Sequence, residues 1–385
     1  MIREVITMRE LSLYIHIPFC VKKCDYCDFL SAPATVDVQG QYFHALFGEI
    51  LERSKAYREY LVRTVFIGGG TPSAVAPELI AELMQVLRKS FVISEDAEIS
   101  MEMNPGTVQG KEAFLVYRNA GINRLSIGLQ SANDVELKLL GRVHTFSQFE
   151  ETWKQARAAG FDNLNVDIMS ALPGQTVESY RRTLETVCAL NPEHISAYSL
   201  IIEEGTPFYE RYAGLIEDEE NEEKDRRMYL LTEQILRENG YERYEISNYA
   251  RSKKECRHNL VYWTRGEYLG LGIGAASMIN NERYKNTDSL CDYINAQGLA
   301  PYEEVQELSR REQMEEFMFL GLRLTKGISE QEFKDCFGCA LESVYGEVLR
   351  KNLKDGLLIR ENGRVYLTAK GLDLSNYVFA QFLEE

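Results

Sequence analysis

No run of about 20 apolar residues, the length a helix needs to cross a bilayer, occurs in this chain of 385 residues. A membrane-spanning protein is therefore not expected. The first ten residues, Met1 to Glu10, also lack the apolar core of a secretion signal. The expected location is cytoplasmic. The first recognisable strand begins near Leu11, so Met8 is a second candidate start. Basic charge is in deficit, with 43 Lys and Arg against 59 Asp and Glu and a net charge of −16. Such a chain repels phosphate backbones, which argues against extended nucleic-acid binding. Apart from the short cluster Arg251 to Lys254, no basic patch is evident. The acidic run Glu217 to Glu223 reads as a solvated loop or a helix start. Paired cysteines are not expected in a cytosolic chain. Five of the eight cysteines are scattered, at 188, 256, 291, 336 and 339. The other three, Cys20, Cys24 and Cys27, crowd into eight residues and read as metal ligands.

The composition is that of an ordinary globular protein, 45% hydrophobic and 26% charged. The length suggests two or three domains at about 150 residues each. The first two-thirds alternates β-rich runs with helical stretches. Strands are expected at 11–17, 64–67, 98–103, 124–129, 163–169 and 194–200. Helices are expected at 41–58, 77–89, 110–120, 147–159 and 176–190. Such βα repetition is the sign of a parallel sheet. Right-handed crossovers would curl it into a barrel or part of one; a doubly wound open sheet is the competing fold. Residues 246–305 have poor periodicity and are expected to be an irregular connecting region after a first domain of residues 1–245. From 306 the order is three helices (312–322, 329–337, 341–355) and a hairpin around Glu361-Asn362-Gly363. That order resembles a winged-helix module, which by itself fixes no function.

The strongest chemical signal is Cys20-Val21-Lys22-Lys23-Cys24-Asp25-Tyr26-Cys27. Three thiolates at C-x3-C-x2-C spacing can hold three irons of a [4Fe-4S] cubane. Four cysteines are usual, and no fourth lies near, so one iron is left open for an outside ligand. A zinc site is the competing reading, but zinc wants a fourth ligand, and the nearby His16 sits on the strand. The run Gly68-Gly69-Gly70-Thr71-Pro72-Ser73 directly follows a strand. Glycines there let backbone groups approach a ligand. Cys336-Phe337-Gly338-Cys339 has redox-motif spacing without the βαβ setting and reads as incidental.

The three-cysteine spacing is the signature of the radical S-adenosylmethionine (SAM) superfamily, and Leu13-Tyr14-Ile15-His16-Ile17-Pro18-Phe19-Cys20 is more specific. The chain resembles, along nearly its whole length, the family of oxygen-independent coproporphyrinogen III dehydrogenase (HemN) and its paralogue, the HemW-type haem chaperone. The resemblance implies a partial (β/α)6 TIM-like barrel carrying a [4Fe-4S] cluster and SAM. It implies that Gly68, Gly69, Gly70 and Thr71 hold the SAM amino group. Further SAM contacts would fall on Tyr14, Tyr26, Glu102, Gln130, Arg142 and Asp167. Carboxylates suit ribose hydroxyls and an ammonium, and Arg suits a carboxylate.

Two departures separate the chain from the dehydrogenase. That enzyme has a further cysteine two residues after the third cluster cysteine, where this chain has Phe29. It also has a long extension before its first strand. The string His258-Asn259-Leu260-Val261-Tyr262-Trp263 matches the chaperone form H-N-x-x-Y-W. By resemblance His258 would ligate haem iron, with Cys256 as a rival ligand. Gly270-Leu271-Gly272-Ile273-Gly274-Ala275 resembles a family segment near the cluster, and is no dinucleotide fingerprint because strand–helix context is missing. The expectation is therefore a haem chaperone that takes up haem, passes it to acceptor proteins and meets a cellular electron donor, with a homodimer possible in principle. The alternative is the dehydrogenase. A radical SAM tRNA modifier is disfavoured by the charge of −16.

Overall fold

The computed structural model describes residues 8–383 apart from Gln109 and Glu217. Met1–Thr7 and Glu217, which figured in the expectations above, lie outside it. Six strands alternate with helices through the first half: β1 (Arg9–Ile17), α1 (Val36–Arg53), β2 (Tyr60–Gly69), α2 (Pro77–Ser90), β3 (Val92–Met103) and α3 (Lys111–Asn119). Then come β4 (Arg124–Gln130), α4 (Asp134–Leu139), α5 (Phe146–Ala158), β5 (Leu164–Ser170), α6 (Val177–Leu190), β6 (His194–Ser199), α7 (Pro207–Tyr212) and α8 (Glu219–Glu238). Strands β1 to β6 are parallel and lie side by side in chain order. A doubly wound sheet reverses its strand order part-way; this sheet does not. Successive right-handed crossovers then put the helices on one face, and the sheet curls into a partial barrel.

Side chains alternate across that sheet as a two-residue period demands. On β4, Leu125, Ile127 and Leu129 join the apolar core under the helices. Arg124, Ser126, Gly128 and Gln130 line a cavity on the other face. On β5, Leu164, Val166 and Ile168 pack outward, and Asn165, Asp167 and Met169 face the cavity. The sequence thus builds a barrel with an apolar shell and a polar interior.

Local signals set the helix ends. The helix expected at 41–58 starts earlier, at Val36, because the Thr35 side chain accepts from the Val38 N–H. Its expected end is a separate 3₁₀ turn, Ser54–Tyr57. Glu219, Glu220 and Glu222 of the acidic run fall in the first turn of α8, capped by Asp218, where carboxylates oppose the positive helix end.

The stretch expected to be irregular is largely ordered. It follows β7 (Glu242–Arg243) and contains β8 (Asn248–Ala250), α9 (Arg257–Trp263), β9 (Tyr268–Leu271), β10 (Ala276–Ile279), β11 (Glu282–Lys285), α10 (Leu290–Asn295) and β12 (Glu303–Glu307). Strand β9 pairs parallel with β1, and β10 to β12 continue the same sheet antiparallel. Strands of three to five residues are too short to show periodicity in sequence.

The last segment holds α11 (Arg310–Gly321), β13 (Ile328–Ser329), α12 (Glu330–Phe337), α13 (Leu341–Lys354), β14 (Leu358–Glu361) and β15 (Arg364–Leu367). Its small sheet, ordered β13-β15-β14, covers a separate core that includes Met318, Phe333, Leu349 and Val365. The expected order of helices and hairpin is present. An Arg265–Glu316 ion pair at 3.1 Å and a Thr325 N–H to Tyr244 carbonyl bond at 3.0 Å tie this segment to the barrel. Among the described residues, no helix is long and apolar enough to cross a membrane.

Candidate functional site

One cavity of about 610 Å³ opens inside the barrel, a size suited to a small-molecule ligand. The cysteine loop leaves the C-terminal end of β1 and folds over it. Backbone bonds fix the loop's path, from the Cys20 N–H to the Ala32 carbonyl (3.2 Å) and from the Asp25 N–H to the Leu140 carbonyl (3.3 Å). The Asp25 carboxylate pairs with Arg211 in the last turn of α7. Tyr26 packs edge-on against Phe208 with centroids 6.3 Å apart. Cys20, Cys24 and Cys27 are half-buried free thiols, and all three line the cavity.

Among the described residues, no three His, Cys, Asp or Glu side chains converge closely enough to hold a single metal ion. A cubane asks less, since each sulfur binds a different iron. The donor set fits such a cluster. Thr71 Oγ1 donates toward Cys20 Sγ at 3.5 Å, and Arg142 Nη1 toward Cys24 Sγ at 3.6 Å. Burial pushes the Cys27 thiol up, while nearby Lys23 favours its thiolate. Binding to iron supplies the compensation that burial removes.

The glycine run crosses under this loop. The Gly70 N–H donates to the Ile17 carbonyl (2.9 Å) and the Thr71 N–H to the Phe19 carbonyl (2.7 Å). Gly69 has φ +111°, and a Cβ there would lie 2.6 Å from the His16 ring. A Cβ on Gly70 would lie 3.1 Å from Cys20 Sγ. These glycines are needed by the fold as well as by any ligand.

Most of the other candidates meet in the same cavity. Tyr14, Tyr26, Gly69, Gly70, Thr71, Glu102, Gln130, Arg142, Asp167 and His258 all line it. Gly68 sits just behind, with room for no side chain beside Glu102 Oε2 at 2.9 Å. Glu102 accepts from the Gly69 N–H at 3.1 Å. Burial, and then the charge of Asp167, push its carboxyl up to about 8. Burial also raises Asp167, which accepts from Asn165 at 2.7 Å and Ser126 at 3.2 Å. Gln130 lies where β4 slips register against β5, with φ +71°, a strained backbone of the kind found at ligand sites. Its Oε1 accepts from the Tyr198 hydroxyl at 3.2 Å. Arg142 is engaged within the protein, by Asn104 Oδ1 at 2.7 Å and the Gly128 carbonyl at 2.6 Å.

His258 has a different setting from the one its sequence suggested. It lies in helix α9, within the stretch expected to be irregular, and is 1% exposed. Its Nδ1 bonds Thr64 Oγ1 at 2.7 Å and its Nε2 bonds the Tyr262 hydroxyl at 2.8 Å. Its ring stacks on Phe66. Burial, helped by the Arg124 charge, lowers its pKa to about 3. Glu98 accepts from the Arg257 and His258 N–H groups at 3.0 and 3.1 Å, so α9 closes the barrel floor, opposite the cysteine loop. As placed, neither ring nitrogen is free for iron; ligation requires the Tyr262 hydroxyl to leave Nε2. Cys256 is fully buried, and burial pushes its thiol up to about 12. It does not line the cavity. The Gly270–Ala275 segment packs behind the cysteine loop, where the Gly272 N–H donates to buried Glu49 at 2.9 Å. Cys336 and Cys339 belong to the C-terminal segment, away from the cavity.

Several lining residues escaped sequence reasoning. Asn104 links Arg142 to Thr71 Oγ1, the latter at 2.9 Å. Arg124, Ser126, Asn165 and Tyr198 also line the cavity. Asn104 follows the end of β3, and the other four are polar or half-polar residues on the inward phase of their strands, a partial signal in the sequence.

The Radical SAM superfamily matches residues 14–187, and the HemN C-terminal domain matches residues 308–374. The chain is 36% identical to the heme chaperone HemW of Lactococcus lactis over 97% of both chains. It is 36% identical to that of Bacillus subtilis, covering 97% of this chain and 99% of the relative. Its structure is similar to that of coproporphyrinogen III oxidase (HemN) from Escherichia coli, described as a radical SAM enzyme. The TM-score is 0.84 at 26% identity, covering 97% of this chain and 90% of the other. The radical SAM family implies a [4Fe-4S] cluster and SAM. On this near-full-length likeness, the chain belongs to the HemW family of radical SAM proteins.

Proposed function

We propose that this protein is a haem chaperone that works in the cytoplasm, takes up haem and hands it to haem-dependent acceptor proteins. In this reading Cys20, Cys24 and Cys27 hold the [4Fe-4S] cluster, and SAM completes it from the cavity. The cluster supplies electron transfer to SAM when reduced; the protein supplies position and exclusion of water. Glu102 and Asp167 offer acceptors for ammonium and hydroxyl groups. Arg142 offers a bidentate cation once it exchanges an internal partner. The observation that carries the reading is Phe29, exposed and lining the cavity, where the dehydrogenase form of the motif has a cysteine.

The test is direct. The full chain, reconstituted with iron and sulfide without air, is titrated with haem and assayed in parallel for coproporphyrinogen decarboxylation. About one haem per chain and no decarboxylation are expected. SAM- and reductant-dependent formation of protoporphyrinogen would favour the dehydrogenase reading instead.

A further inference from the structure

The residues that line the cavity while remaining exposed define its mouth: Lys22, Lys23, Asp28, Phe29, Ile201 and Glu203. Phe29 is 67% and Ile201 is 69% exposed. Two large apolar side chains left in water at the lip of a cavity are a ready contact for a flat apolar ligand. Lys22 and Lys23 are adjacent on the cysteine loop, and neither forms an ion pair with a carboxylate among the described residues. Asp28 and Glu203 bring negative charge to the same opening.

We propose that haem docks at this mouth, its macrocycle against Phe29 and Ile201 and its propionates at Lys22 and Lys23. This rests on the haem-chaperone reading and adds the surface that reads the cargo. Haem is an amphipathic disc with two carboxylates on one edge and an apolar opposite edge. The adjacent cationic pair and the two apolar contacts of this mouth match that pattern. Coproporphyrinogen carries four propionates spread around its rim. The mouth offers two lysines for these four carboxylates, and Asp28 and Glu203 disfavour seating the remaining two at the rest of its rim. The same six side chains therefore favour haem and reject the dehydrogenase's substrate. His258, at the floor with both ring nitrogens occupied, presents no comparable open surface.

The test uses the full chain with its cluster reconstituted, haem titrated by absorbance, and coproporphyrin III as the four-carboxylate probe. Phe29→Ser with Ile201→Ser is expected to weaken haem at least tenfold with iron content unchanged. Lys22→Glu with Lys23→Glu is expected to weaken haem, more at low salt than at high salt. If that pair loses iron because Lys23 lies near Cys27, Lys22→Glu alone carries the charge test. Asp28→Lys with Glu203→Lys is expected to improve coproporphyrin binding relative to haem at least tenfold. Unchanged haem affinity in both the apolar and the lysine variants overturns the docking site, and loss of haem in His258→Ala alone would then locate it at the floor. A wild-type chain that binds no haem would overturn the chaperone reading itself.

Discussion

Glu102 gives the sharpest quantitative test of the site's electrostatics. Its carboxyl faces the cavity beside Asp167 and accepts one backbone N–H, from Gly69. Burial and Asp167 raise its pKa from 4.5 to about 8. In the pH range between those values the folded chain keeps a proton that the unfolded chain has lost. Stability therefore falls as pH rises from about 4.5 to about 8, and is flat above. At about 1.4 kcal/mol per unit the upper bound is about 5 kcal/mol. The cavity opens to solvent, which screens part of this, so a difference of at least about 1 kcal/mol is expected. Glu102→Gln keeps an acceptor for the Gly69 N–H and cannot ionise. In urea unfolding of the cofactor-free chain, the glutamine variant should match wild type near about pH 4.5 and exceed it near about pH 8.5. SAM binding to the reconstituted protein should weaken in the same variant, because the charge that destabilises the empty site serves a cationic ligand. A stability gap independent of pH, or a glutamine variant less stable at the higher pH, would refute the reasoning.

Other expectations follow from the same geometry. Cys20→Ala, Cys24→Ala and Cys27→Ala should each abolish an air-sensitive iron content of about four per chain, whereas Cys336→Ala and Cys339→Ala should leave it intact; iron analysis after anaerobic purification decides. Gly69→Val should destabilise the fold as well as SAM binding, by about 2 kcal/mol or more, since its Cβ meets the His16 ring at 2.6 Å; a variant with wild-type thermal stability would show that β1 and β2 can separate. Tyr262→Phe removes the hydroxyl that occupies His258 Nε2. With haem at the mouth, neither this variant nor His258→Ala should change the haem absorbance spectrum; a histidine-type band that strengthens in Tyr262→Phe and vanishes in His258→Ala would move the haem to the floor.

The strand frame was legible because each of the first five strands carries an apolar outward phase and ends in a glycine, proline or polar turn, and the sixth follows the same βα rhythm. The cysteine loop was legible because its spacing is local. The polar cavity wall was only partly so: Arg124, Ser126 and Asn165 are ordinary inward strand residues, and only three-dimensional closure of the sheet makes them a lining. Residues 246–305 were misread for the same kind of reason. Strand β9 is stabilised by pairing with β1, which lies more than 250 residues earlier, and a four-residue strand has no pattern of its own. His258 shows the limit of motif transfer. Its string placed it beside aromatic residues, correctly, but not the Thr64 and Tyr262 hydroxyls that occupy both ring nitrogens.

On the proposed function, this barrel carries haem rather than decarboxylating a porphyrinogen. One side-by-side measurement addresses it: anaerobically reconstituted full-length protein, supplied with SAM and reductant, is given haem in one vessel and coproporphyrinogen III in another. Saturable haem binding at about one per chain, transfer to a haem-free acceptor, and no protoporphyrinogen are expected. Catalytic conversion of coproporphyrinogen with no saturable haem binding would contradict the proposed function.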